Sequence, residues 1–228
     1  NAPLDSRVRT VSVPSEARTL QAQVEGAYDG RLLAAVWPEL CMPPARRNLL
    51  SRKLRQKGAE LELGKGPLIV AAGSWHEDAD GSVRNVMHIL DQGGRTAWTF
   101  TKVTKFVGGG YHEANEPGDI LRVLVSRDLL ISFAICSDFC ETADLANPFV
   151  LLNVDLVLVP SLGSAAAATG HQDNSRSRSN IHGGQTFVVQ QREPSETGNN
   201  VGWVVSDPKS QAAPVEDRPW SVRKISLK

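Results

Sequence analysis

The chain has 228 residues, 41% of them hydrophobic, with 25 basic and 25 acidic side chains and a formal net charge of +0. That length and apolar content suit one large α/β domain, residues 1–228, with a substantial buried core. The charge balance excludes overall electrostatics as a reason to bind nucleic acid or an anionic membrane, and no apolar run approaches the roughly 20 residues that span a bilayer.

The elements follow in order. Arg7 to Val13 alternate as a strand, and Ser15 to Gly30 read as a helix capped by Ser15 and stopped by Gly30. Leu32 to Trp37 form a near-continuous apolar run of the kind found in buried parallel strands. After Pro43-Pro44 come a basic amphipathic helix, Ala45 to about Gly58, and an apolar strand, Pro67 to Ala72. This βαβαβ start implies a layered α/β fold. Strand-like Val83–Leu90, Thr96–Val103 and Ile120–Ile135 are joined by short or Gly-rich connections, which favour antiparallel neighbours. A helix from Glu141 to about Leu152 and a strand Asp155–Pro160 follow, then a polar Ala/Ser/Asn-rich region through Asn180. Gln185–Gln191 is a strand, Gly202–Asp207 is hairpin-like, and Val222–Leu227 is strand-like. No repeat or linker divides two cores.

Cys41, Cys136 and Cys140, odd in number and irregularly spaced, make no disulfide framework and point to a reducing compartment. Asn1-Ala2-Pro3-Leu4-Asp5 lacks the basic and apolar regions of a signal peptide, so a cytoplasmic location is expected. The absence of an initiator methionine fits a processed chain or a domain excised from a longer protein. His76, His88, His112, His171 and His182 show no paired metal-ligand spacing, so neither metal nor cofactor is expected. The short basic run Arg176-Ser177-Arg178-Ser179 reads as a solvated face.

Three strand-like runs end in groups able to do chemistry: Val36-Trp37-Pro38-Glu39, Ala97 to Lys102, and Leu130 to Cys136. Hydrolysis of an amide-like carbon needs a nucleophile stronger than water, and a deprotonated thiol at Cys136 is one. Glu39 would accept the thiol proton and later activate water, while the Lys102 ammonium would favour the thiolate and stabilise a tetrahedral oxyanion. The N–H of Ser137 would be a second oxyanion donor. Taken alone, a cysteine ending an apolar run is more often a small buried hydrophobe, Glu39 a solvated strand end or helix cap, and Lys102 no better a candidate than Lys105.

The order of these segments resembles the nitrilase superfamily, the carbon–nitrogen hydrolases. Matching pieces are Trp37-Pro38-Glu39-Leu40, Gly73-Ser74-Trp75 through Asn85, Phe100 to Phe106, Pro117-Gly118-Asp119, Ile135-Cys136-Ser137-Asp138, Leu156 to Ser161 and Asp207-Pro208. The resemblance implies a four-layer αββα sandwich and a Glu-Lys-Cys site acting on a small amide or nitrile. Aligning Phe100 and Phe106 selects Lys102 over Lys105. It also implies a second glutamate that positions the lysine, Glu113, with Glu116 as its rival, and assembly into a homo-oligomer. Ser137 stands where many relatives carry an aromatic residue, and the absence of tryptophan there favours an amide over a nitrile. Two alternatives stand beside the hydrolase: a catalytically silent binding or regulatory domain of a larger assembly, and a Cys-His thiol hydrolase of another fold, which would need His171 or His182 beside Cys136.

Overall fold

A computed structural model describes residues 17–28, 32–61, 65–108, 111–140, 148–194, 196–215 and 223. The expected strand Arg7–Val13, the cap and stop at Ser15 and Gly30, and the tail strand Val222–Leu227 lie outside those residues.

The first half holds helix α1 (Ala17–Tyr28), strand β1 (Ala34–Val36), helix α2 (Pro44–Glu60), strands β2 (Ile69–Ala79), β3 (Ser82–Leu90) and β4 (Thr96–Thr101), and a small hairpin, β5 (Val107–Gly108) with β6 (Tyr111–His112). The second half holds β7 (Val123–Val125), β8 (Leu130–Phe133), short helices α3 (Ser137–Cys140) and α4 (Pro148–Leu151), β9 (Leu156–Gly163), helix α5 (Ala165–His182), β10 (Gln185–Arg192), β11 (Gly202–Val205) and β12 (Ala213–Val215).

Among the described residues two large sheets result, in the order β1-β2-β3-β4 and β12-β11-β10-β9-β8-β7, beside the two-stranded β5-β6. Strands linked through a helix run parallel: β1 to β2 through α2, and β9 to β10 through α5. Strands linked by tight turns run antiparallel, as in β2-β3-β4 and β7-β8. The long run Ile120–Ile135 breaks where Ser126 Oγ accepts the Leu129 N–H at 3.0 Å, giving a hairpin instead of one strand.

Side-chain alternation along buried strands explains the layering. In β2, Val70 and Ala72 face α1 and α2, joining Leu20, Val24, Leu50 and Leu54. Ile69 and Ala71 face the other way and meet Ile131, Phe133, Leu156 and Leu158 of the second sheet. In β9, Val157 and Val159 turn outward to Phe139 and Phe149 of α3 and α4. Three apolar cores therefore separate four layers, αββα.

Two expectations change. The polar region after Pro160 is largely the 18-residue helix α5, started by Ser164, whose side chain accepts the Ala167 N–H, and ended by Gly183 at φ 72°. Its buried stripe, Ala168, His171, Gln172, Ser175 and Arg178, has helical spacing but is mostly polar, so a search for apolar periodicity passes over it. Arg178, expected on a solvated face, is 2% exposed. Its guanidinium donates to the carbonyls of Val154 and Gln185, tying α5 to the ends of β9 and β10.

Candidate active site

Glu39, Lys102, Glu113 and Cys136 come from four different connections and meet at one end of the sandwich. Glu39 follows β1 in a turn whose next residue, Leu40, has φ 53°. That turn rests on a β2 bulge between Ala71 and Ser74. Gly73 permits the approach, because a Cβ there would collide with the Pro38 carbonyl. Ser74 then receives the Leu40 N–H on Oγ at 3.2 Å, and Gln191 of β10 donates to the Glu39 carbonyl at 2.6 Å. The carboxylate is thus fixed by both sheets.

Lys102 follows β4 and is 2% exposed. Its ammonium donates to Glu39 Oε1 at 2.9 Å and to Glu113 Oε2 at 2.7 Å. Asn85, in β3, bridges the same two carboxylates from its amide nitrogen, at 2.9 Å to each Oε1. Glu113 also accepts the Phe106 N–H at 3.2 Å and lies 3.3 Å from His76 Nε2. Lys105 and Glu116 are both exposed.

Cys136 sits where β8 gives way to α3, with φ 47°. Its N–H donates to the Pro160 carbonyl at 2.9 Å, and its own carbonyl accepts the Phe139 N–H at 2.9 Å, which closes the turn. The sulfur lies 3.6 Å from the Leu162 carbonyl and 3.3 Å from Ser161 Oγ. The Leu162 N–H donates to Glu39 Oε2 at 3.1 Å, so one residue touches both groups. Ser137 opens α3, and a first-turn N–H has no acceptor within its own helix.

Asp138 joins the lysine-bearing connection to the cysteine turn. Its Oδ1 accepts from the N–H groups of Val103 and Thr104 at 2.9 and 2.7 Å, and its Oδ2 from the Ile135 N–H at 3.1 Å. Burial, opposed by these bonds, pushes its carboxyl up to about 6.

Electrostatics makes the resting thiol neutral. Burial, and next the Glu39 charge, raise Cys136 well above the usual thiol range, and the opposing pull of Lys102 does not offset them. Lys102 favours the thiolate, as expected, but its ammonium also faces two carboxylates and its pull is the smaller one. Burial alone would lower Lys102, but the neighbouring Glu39 and Glu113 carboxylates raise it well above its ordinary value. Glu113 is held down at about 2, its burial outweighed by the His76 bond and Lys102.

Among the described residues no group of three or more His, Cys, Asp or Glu could hold a metal ion. Asn85, Asp138 and Ser161 were overlooked as site residues although they lie inside the matching segments. His171, named from the sequence only as a partner for Cys136 in a Cys-His hydrolase, reaches that sulfur through Ser161 and meets Cys140 directly, while His182 is exposed.

No protein-family model matches the sequence, nor does any curated protein. Solved structures do share its fold. A mutant of the amidase from Nesterenkonia sp. AN1, showing Michael addition of acrylamide at the active site cysteine, has a TM-score of 0.62 at 15% identity, over 94% of this chain and 85% of its own. A second mutant of that amidase, described as from the nitrilase superfamily, has a TM-score of 0.60 at 15% identity, over 94% and 83%. Saccharomyces cerevisiae Nit3, of branch 10 of the nitrilase superfamily, has a TM-score of 0.54 at 16% identity, over 90% and 69%. The fold is the αββα sandwich of the nitrilase type.

Proposed function

We propose that this protein is a cofactor-independent thiol hydrolase that cleaves a non-peptide C–N bond, an amide in preference to a nitrile, through a covalent acyl-enzyme on Cys136. The observation that carries this reading is the Lys102 ammonium, buried between Glu39 and Glu113 beside the cysteine turn. A thiol next to a carboxylate acceptor is poised for attack concerted with proton loss. As sulfur bonds to the amide carbon, the S–H proton passes to Glu39. An ammonium has three donors, and two of those on Lys102 are committed to Glu39 and Glu113. The third and the Ser137 N–H are the donors assigned to the oxyanion. On collapse, Glu39 returns the proton to the departing nitrogen and the amine or ammonia leaves. Glu39 then takes a proton from water, whose oxygen attacks the thioester, and the acid is released with the thiol restored. Glu113 holds Lys102 in place without changing its own proton.

The nitrilase-type fold and the Nesterenkonia amidase, with adducts at its active-site cysteine, support this assignment. Three free cysteines agree with a reducing, cytoplasmic setting. No helix among the described residues is long and apolar enough to cross a membrane. The same reading takes the chain as one domain and a subunit of a homo-oligomer, which light scattering tests.

The deciding experiment is intact-mass spectrometry after exposure to a panel of small amides and nitriles. The expected result is a transient acyl adduct on the native protein, absent in Cys136→Ala, with amides turned over faster than nitriles. Glu39→Gln keeps the shape but cannot take a proton, so both acylation and deacylation slow. Normal acylation in Glu39→Gln would overturn the mechanism.

A further inference from the structure

Behind Cys136 runs a buried polar row that the mechanism above does not use. Ser161 Oγ lies 3.3 Å from the Cys136 sulfur and 2.9 Å from His171 Nε2. On the far side of the imidazole, Nδ1 lies 3.1 Å from the Cys140 sulfur. Ser161 and His171 are fully buried, and the imidazole stacks on the Phe139 ring at 6.1 Å. Among the described residues Gln190 is the further neighbour of the hydroxyl, at 3.4 Å; its amide nitrogen is fixed by the Ser164 carbonyl at 2.7 Å, which leaves Oε1 turned toward Ser161.

Proton counting restricts what this row can do. A hydroxyl has one proton, and a neutral imidazole has one N–H and one acceptor nitrogen. His171 is neutral in the fold, because burial and then the Lys102 charge hold it down at about 4. The ionisable groups around Cys136 are Glu39, Lys102 and Cys140. From the elements packed on His171, α3 brings Asp138 and Cys140 and β10 brings Arg192, while α5 itself carries Asp173, Arg176, Arg178 and His182. Arg192 donates to the Gly198 carbonyl, Arg176 pairs with Asp173 at 3.0 Å and Arg178 is held by two carbonyls, so the contacts of the imidazole itself are the serine, the thiol and the Phe139 ring.

We propose that Ser161 and His171 are positioning residues for the nucleophile, forming a donor row that ends on the Cys136 sulfur. Cys140 S–H donates to Nδ1, Nε2–H donates to Ser161 Oγ, and the Ser161 O–H donates to the Cys136 sulfur, whose own S–H faces the Leu162 carbonyl at 3.6 Å. Every proton of the row stays on its own atom as the thiolate forms, so no net charge crosses the row. The proton lost by Cys136 still goes to Glu39. The row supplies a hydrogen bond that strengthens as negative charge develops on sulfur.

This inference rests on Cys136 being the nucleophile, and its test needs no substrate. The rate of Cys136 alkylation by iodoacetamide is followed against pH by peptide mass mapping, with circular dichroism on every variant. A hydrogen bond to a charged group is typically worth about tenfold or more, so Ser161→Ala slows alkylation by that factor and moves its midpoint upward. Ser161→Thr restores the hydroxyl and the native profile. His171→Leu shifts the profile the same way but less, because the serine proton then divides between sulfur and Gln190. A folded Ser161→Ala, or a folded His171→Leu if Ser161→Ala does not fold, with an unshifted profile overturns the proposal. A native Cys136 that reacts no faster than Cys41 would instead strike the nucleophile assignment on which it stands.

Discussion

The two sheets contribute opposite kinds of polarity to the same pocket. The first half of the chain supplies charge: Glu39, Lys102 and Glu113, with Asn85 between the carboxylates. The second half supplies neutral groups, Cys136, Ser161, His171 and Gln190. Charges buried at 2.7–2.9 Å fix one another and tolerate no loss of a partner, whereas a neutral hydroxyl or imidazole carries no such charge penalty. Under the mechanism proposed above this is a division of labour: one half holds the field still while the other donates to the changing charge on sulfur.

The largest effect expected is at the centre of the charged half. On the proposed mechanism Lys102→Ala removes an oxyanion donor, lowering turnover on the order of 10²–10³-fold. It also leaves Glu39 and Glu113 facing each other in a buried site, a destabilisation of about 3–5 kcal/mol by urea melts. A greater loss in Lys105→Ala would reverse the lysine assignment. Asp138→Asn comes next, because it tests the tie between the halves. It swaps one acceptor oxygen for a donor against the N–H groups of Val103, Thr104 and Ile135, so stability falls by about 1–3 kcal/mol and turnover falls with it.

Acid titration separates the halves without touching the chemistry. His171 has a folded value of about 4 against an ordinary 6.5, so the unfolded chain binds the extra proton first and stability falls as pH drops through that window. Glu113, at about 2 against 4.5, contributes stability that is complete above about 4.5 and lost as pH falls toward 2. His171→Leu should flatten the upper window by roughly 3 kcal/mol and leave the lower intact, and Glu113→Gln the reverse. Denaturant midpoints measured across pH would show both. The smallest effects belong to exposed Lys105 and Glu116, whose replacement by Ala and Gln should change stability by less than about 0.5 kcal/mol.

Glu39, Lys102 and Cys136 were legible in the sequence, whereas Asn85 and the groups behind the thiol were not, for a physical reason. Glu39, Lys102 and Cys136 each end an apolar strand, and a change from apolar run to reactive group is visible locally. Glu113 required the resemblance, because nothing in its glycine-rich loop separates it from Glu116. Ser161 ends a conspicuous strand, but its partner His171 lies on a helix whose buried face is polar, and the contact joins residues on different elements. Arg178 was misjudged for the same reason: two backbone carbonyls compensate its burial, and carbonyl positions are not written in side-chain patterns. The layering was readable because Ile, Val and Ala fill both faces of β2, and Leu and Val both faces of β9.

The left-handed backbone at Cys136 has a consequence for anyone selecting sturdier forms of this protein. A non-glycine residue at φ 47° sits in a conformation that costs an L-residue roughly 1–2 kcal/mol and glycine almost nothing. Cys136→Gly should therefore melt above Cys136→Ala, the reverse of the usual ranking of those two residues. A thermal-tolerance screen blind to adduct formation would be rewarded for erasing the sulfur of the proposed nucleophile. Directed evolution here has to score reactivity and robustness in the same assay, because at this residue they pull in opposite directions.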